Sequence, residues 1–218
     1  MAGFPFRNGS VTAEEVEEIG WQFWATGSPV LYQKLKEQQE SNGSWLDDPF
    51  LTALIQWKQT FYGEVDPIAE EYLRKAAAGL THVDPPALVA ALLAFFRRRE
   101  LQGSLVRTLT VLLLSMQNPD GSWPNGPADT AWAVWALGRE GEGVEAGLDY
   151  LAEVQNPDGG WGEAREGASR VEITAVVFHA LAASAPSNPS LPAALEYLWR
   201  NAVDQTCWYQ VGGAISLT

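Results

Sequence analysis

Apolar residues recur at helical spacing along most of this chain, and short polar phrases rich in Gly, Asn, Asp and Pro close the runs. The first run carries Val16, Ile19 and Phe23 behind Thr12, and Glu15 stands three residues after that threonine as a capping box requires. A second run opens at Pro29, a residue suited to the first turn, and reaches Gln39. The same reading predicts helices over 48–62, 66–79, 84–100, 102–117, 128–139, 143–155, 171–184 and 190–203, giving ten helices in five consecutive pairs. Nowhere do β-branched and aromatic residues alternate between turns, so no strand is predicted and the fold class is all-α. Two kinds of helix alternate. Stretches 89–96 and 128–137 are apolar nearly all round, as in a helix enclosed by others, whereas 145–153 is charged on one face.

One phrase closes three of these runs. It reads Gln39-Glu-Ser-Asn-Gly43-Ser-Trp45, Gln117-Asn-Pro-Asp-Gly121-Ser-Trp123 and Gln155-Asn-Pro-Asp-Gly159-Gly-Trp161. A leucine stands four residues ahead of each glutamine, at Leu35, Leu113 and Leu151, so the unit is L-x3-Q-x3-G-x-W. Worn copies keep the register at Leu73, with Ala77 in the glutamine slot, and at Leu198, with Ala202 there. A second phrase, Thr52-Ala53, Thr130-Ala131 and Thr174-Ala175, opens the apolar helix after each copy. A fixed period of two helices describes a helix-hairpin solenoid, whose two-layer form is an inner ring within an outer one. Within the unit, the glutamine amide can tie one helix end to the next helix's free N–H groups, glycine allows a positive φ, and the indole covers the junction. A catalytic residue has no reason to recur in every repeat, so these are read as fastenings.

With 218 residues, 46% of them hydrophobic, the chain can bury a sizeable core, and one domain spanning 1–218, with 1–11 as an extension, is the economical count. Ten tryptophans far exceed ordinary usage. A single cysteine excludes an intramolecular disulfide, and the N-terminus lacks a signal-like n-region and h-region, so the expected address is cytoplasmic. The apolar stretches 87–96 and 109–116 are much shorter than the roughly 20 residues of a spanning helix. A net charge of −13 argues against nucleic acid, which demands a basic face. The one basic cluster, Arg97-Arg98-Arg99, suits a helix C-terminus.

The L-x3-Q-x3-G-x-W copies, with Asp129-Thr-Ala-Trp-Ala-Val-Trp-Ala-Leu137 after the second, resemble the QW motif and inner helix of a known superfamily. Its members are the squalene-hopene cyclases, oxidosqualene cyclases and protein prenyltransferase β-subunits. The resemblance covers most of residues 30–215 and implies an α/α toroid with inner and outer helical barrels. It further implies a terpene cyclase-like protein acting on or binding a hydrophobic polyprenyl substrate. No cofactor is implied, except Mg²⁺ if that substrate is a diphosphate. In such cyclases the acid lies in D-x-D-D-T-A at the mouth of an inner helix. Aligned on Thr-Ala, this chain offers Asp129 in one repeat and Glu172 in the next, while Ala128 fills the proton donor's slot in the first. By the same resemblance, Trp132, Trp135, Phe178, Trp57 and Phe95 are the substrate-binding candidates, because inner-helix aromatics stabilise cations through their faces.

Each residue also has a plain reading: Asp129 as a helix N-cap, Glu172 as a favourable charge in a first turn, Asp47-Asp48 as a cap, the aromatics as core. A prenyltransferase-like zinc set would need Asp204, Cys207 and His179, whose order and spacing depart from that family's, and His82 is the only other imidazole. No metal is therefore expected, and His179 is read as a satisfied core histidine. A non-catalytic toroid serving as a binding or assembly module remains the alternative. Complete rings of this superfamily use about six helix pairs where this chain has five, and an unfinished solenoid leaves an apolar edge to cover. Self-association, a partner domain on that edge and peripheral membrane contact follow as expectations, and 214–218 reads as the first turn of an eleventh helix.

Overall fold

The computed structural model describes residues 11–99, 103–139, 141–203, 207–210 and 213–216, those from 202 onward by backbone alone. They hold α1 (Ala13–Thr26), α2 (Pro29–Glu37), α3 (Pro49–Gln59, prolonged by a 3-10 turn, Thr60–Tyr62), α4 (Pro67–Ala78) and α5 (Pro86–Arg99). There follow α6 (Ser104–Ser115), α7 (Pro127–Leu137), α8 (Val144–Glu153), α9 (Val171–Ser184) and α10 (Leu191–Arg200). The protein is all-α in its packed body, with boundaries set by local chemistry. Thr12 and Glu15 exchange both bonds of a capping box at 3.2 and 2.8 Å, and Asp48 accepts from the N–H groups of Phe50 and Leu51 to cap α3. Gly27 ends α1 at a φ of 68°.

The odd helices pack in succession, α1 on α3, α3 on α5, α5 on α7 and α7 on α9, and each even helix lies on its own odd predecessor. Burial follows this division. Helix α5 buries nine of fourteen residues, whereas α4 buries Ala69, Leu73 and Ala77, a single stripe at i, i+4 and i+8. No helix among the described residues is long and apolar enough to cross a membrane.

The end of the chain departs from the helical expectation. An antiparallel meander, β1 (Ala202–Val203), β2 (Cys207–Gln210) and β3 (Gly213–Ser216), replaces the predicted end of the tenth helix at 202–203 and the first turn of an eleventh over 214–218; Leu217 and Thr218 lie outside the described residues. Trp208, Tyr209 and Ile215 favour a pleated backbone, and glycine precedes β3 where a helix would want a capping side chain. β2 packs on α9 and β3 on α1, so the meander runs between the last odd helix and the first.

Three joints between pairs are closed by the same bonds. The indole N–H of the motif tryptophan donates to the carbonyl of the motif leucine, Trp45 to Leu35, Trp123 to Leu113 and Trp161 to Leu151, at 2.6, 2.7 and 2.8 Å. Its backbone N–H donates to the threonine that opens the next odd helix, Thr52, Thr130 or Thr174, at 3.1, 2.9 and 3.0 Å. The glutamine amide donates to the glycine carbonyl of its own turn at Gly43, Gly121 and Gly159. Gln117 and Gln155 also reach the N-cap carbonyls of α8 and α10, Gly143 and Ser190. The motif glycines hold φ of 89°, 86° and 93° against the backbone of Ala69, Ala146 and Ala193, where no Cβ fits. All three indoles are at most 1% exposed. At the worn joint after α4, Val83 takes the tryptophan's register and is 80% exposed, and Thr81 bonds locally to Asp84 instead.

Candidate functional site

The joints before α7 and α9 place Asp129 and Glu172 near the starts of adjacent helices. Asp129 is not the N-cap its residue type suggests. Gly126 caps α7, and Asp129 stands at the third helical position, 8% exposed. Its Oδ2 accepts from Asn125 at 2.8 Å, and the backbone N–H of Ala87 in α5 donates to its carboxylate. Burial nevertheless pushes the Asp129 carboxyl above its ordinary range, because desolvation outweighs those two donors. Glu172 is half-buried; Arg170 holds its Oε1 at 3.2 Å, while its Oε2 is buried without a partner. Arg170 also grips Glu163.

Glu163 belongs to an insertion particular to this joint. Thr174 follows Trp161 by thirteen residues, where the other two joints take seven. The extra loop is fixed by the backbone pair Trp161–Arg170 and by Arg165 on Glu153, and the Glu163 carbonyl presses on Gly126. The start of α7, with Asp129, is thus covered by chain.

Inside the layer of odd helices the aromatic side chains converge. Trp132 and Trp135 of α7 stand 5.4 Å apart, ring centre to ring centre. Trp24 of α1 meets Trp132 at 5.6 Å, Phe50 of α3 meets it edge-on at 5.4 Å, and Trp57 meets Trp135 at 4.9 Å. Trp21 approaches Trp132 at 6.3 Å, and His179 of α9 approaches Trp24 at 4.8 Å. These separations and steep interplanar angles are those that aromatic quadrupoles prefer. Of the predicted binding residues, Trp57, Trp132 and Trp135 come together. Phe95 lies fully buried in the core against Phe96, and Phe178 faces α10 in a groove with Leu191 and Leu195.

The sequence reading missed Trp21, Trp24 and Phe50, and named His179 without placing it in this cluster. The i, i+3 spacing of Trp21 and Trp24 was available, but Val16 and Phe23 claimed α1's core face. His179 is not the satisfied core histidine of the sequence reading, since its Nε2 is buried without a partner, as is Trp24 Nε1 beside it. Burial, aided by the charge of Lys58, holds the His179 imidazole neutral, pushed down to about 4. Lys58 is itself lowered by burial.

The basic cluster is occupied by structure. Arg97 donates to the carbonyls of Ala136 and Leu137 at the end of α7, Arg98 stacks over Phe61 at 3.8 Å, and Arg99 pairs with Glu70 at 3.1 Å. Among the described residues no three His, Cys, Asp or Glu side chains gather as a metal site. Asp204 and the Cys207 side chain lie outside the described residues, and His82 stands on the exposed α4–α5 loop. No known protein family matches the chain, and no curated protein does.

Proposed function

We propose that the odd and even helices are the inner and outer layers of an α/α toroid of the squalene-cyclase type, and that its tryptophan-lined interior binds a hydrophobic polyprenyl compound. One observation carries the reading: Trp21, Trp24, Phe50, Trp57, Trp132, Trp135 and His179, from four odd helices, meet in a single aromatic cluster. Indole faces offer a hydrocarbon apolar contact and offer a carbocation its quadrupole. A hydrocarbon ligand needs no cofactor; a diphosphate would bring Mg²⁺ with it, since Arg97, Arg98 and Arg99 are engaged elsewhere. Such a ligand resides in bilayers, which makes peripheral membrane contact from the cytoplasm part of the reading.

Catalysis is the second reading, favoured by one group. The Asp129 carboxyl, raised by burial and sited at the start of an inner helix, is the better candidate acid; the Glu172 carboxylate is taken up by Arg170. Titrating the purified protein with squalene, and with geranylgeranyl diphosphate plus Mg²⁺, while following tryptophan fluorescence and cyclised hydrocarbon, separates the possibilities. Quenching that Trp132→Leu weakens at least about tenfold supports binding. Product that Asp129→Asn abolishes and Glu172→Gln spares supports catalysis by Asp129. No quenching by either compound would discard the ligand class, leaving an assembly module.

A further inference from the structure

The serine of the repeated phrase bonds back to the turn it sits in. At the second joint the Ser122 hydroxyl donates to Asp120 Oδ1 at 2.7 Å and accepts from Asn118 Nδ2 at 2.9 Å. At the first, Ser44 donates to Asn42 Oδ1 at 2.7 Å. The third phrase has Gly160 in that position, and the hydroxyl arrives from elsewhere. Ser169, on the loop inserted before α9, donates to Asp158 Oδ1 at 2.7 Å and accepts from Asn156 Nδ2 at 2.9 Å, the two bonds that Ser122 makes. Gly160 holds no left-handed φ, so its backbone does not call for glycine. What it lacks is room: a Cβ there would stand 2.6 Å from Ser169 Cβ and 2.7 Å from Ser169 Oγ. Glycine thus admits the loop's serine to the slot that the phrase's own serine fills at the other two joints.

The rest of the loop is lightly held. Between Gly162 and Arg170 the only apolar side chains are Ala164 and Ala168, both exposed. Asn156 Nδ2 donates to the Gly167 carbonyl and the Arg170 N–H to that of Trp161, and Arg165 stands 5.8 Å over the Tyr150 ring. The ion pairs Arg165–Glu153 and Arg170–Glu163 are solvent-exposed and contribute little. A segment with so few buried apolar contacts opens ahead of the body it lies on. Beneath it is the N-cap of α7. A Cβ at Gly126 would stand 2.4 Å from the Glu163 carbonyl oxygen, and Asp129, three residues on, is 8% exposed. We propose that residues 162–170 are a releasable cover over the start of α7, latched by the Ser169 hydroxyl, whose release admits solvent and small solutes to Asp129. This cover is independent of what the interior binds.

The test follows amide hydrogen exchange over 162–170 by mass spectrometry, together with carbodiimide-driven coupling of glycine ethyl ester to Asp129 in the folded protein. Ser169→Ala removes the latch. It should speed exchange of the loop at least about tenfold, the shift expected of a lost hydrogen bond to a charged group, and raise coupling at Asp129. Gly160→Ser keeps Ser169 but fills the slot it needs, and should do the same. In Gly160→Ser combined with Ser169→Gly the joint has a hydroxyl of its own again, so the urea midpoint lost in Ser169→Ala returns while the loop still exchanges fast. Ser122→Ala, at a joint without the insertion, should leave 162–170 unchanged; faster loop exchange there would make the effect a general loosening and overturn the latch. Far-UV circular dichroism confirms that the variants fold. Loop exchange at the wild-type rate in either folded single variant of the third joint also overturns the latch, and fast exchange with Asp129 coupling at the wild-type level overturns the cover.

Discussion

The rim of the molecule, where three motif joints close the starts of odd helices, and the interior, where the indoles meet, differ in how they are held: the rim by recurring hydrogen bonds, the interior by ring contacts. At the rim three bonds of the repeated phrase recur with partners of fixed type, indole to leucine carbonyl, backbone amide to threonine hydroxyl and glutamine to glycine carbonyl, although beside the third joint Arg170 Nε and Glu172 Oε2 are buried without one. In the interior, Trp24 Nε1 and His179 Nε2 are buried with none. An unpaired buried donor or acceptor costs about 1–3 kcal/mol, so each one detracts from stability. The rim fastens three odd helices to the pairs before them, and the interior holds the aromatic cluster with two of its ring nitrogens unpaired.

Substitutions at the rim should cost most. Gly121→Val places a β-branched side chain at a φ of 86° and against the Ala146 carbonyl, and should remove more than about 3 kcal/mol in urea unfolding. Gly159→Val, at 93° against Ala193, should match it; tolerance at either site would mean the joints are not equivalent.

The interior should instead announce itself through pH. The folded His179 pKa, about 4, lies below its ordinary 6.5, so protons bind the unfolded chain first. Stability is therefore fully present above 6.5 and falls as pH drops toward 4, by up to about 3 kcal/mol. His179→Phe should flatten that limb of the stability curve; an unchanged limb would assign it to other groups. Next in size, Trp123→Phe keeps an aromatic ring but loses the bond to Leu113 and part of the packed volume, for about 2 kcal/mol. Smallest is Val83→Ala, at the tryptophan's register in the worn joint, which should stay within about 0.5 kcal/mol. A large loss there would mean the fourth joint is fastened after all.

Much of this rim was legible along the chain. The leucine, glutamine, glycine, tryptophan and threonine of each joint are close in sequence, so their bonds recur wherever the phrase recurs, and helix starts at Thr12, Pro29 and Pro67 follow from caps and prolines. Asp129 was legible as a residue and not as a role. Its partners include Ala87, in a different helix pair, and a cap and a buried third-position carboxylate look alike in a string of letters. Trp21 and Trp24 escaped because a helix with acids on one face and two apolar stripes does not declare which stripe faces inward. The end of the chain was misread for a related reason, since the pairing of Trp208 with Ile215 is decided by strand partners rather than by helical periodicity.

The sequence by itself determined the ten helices, their alternation of enclosed and half-exposed faces, and the residues that fasten three of the joints, although the glutamines donate to carbonyls rather than meet the expected N–H groups. All of these depend on contacts within one period of the repeat, and so repeat with it. Only the tertiary structure decided which aromatic rings meet, that His179 and Trp24 leave nitrogens unpaired, and that α10 leaves Leu195 and Trp199 exposed. Those are relations between helices of different pairs, and no single repeat contains them.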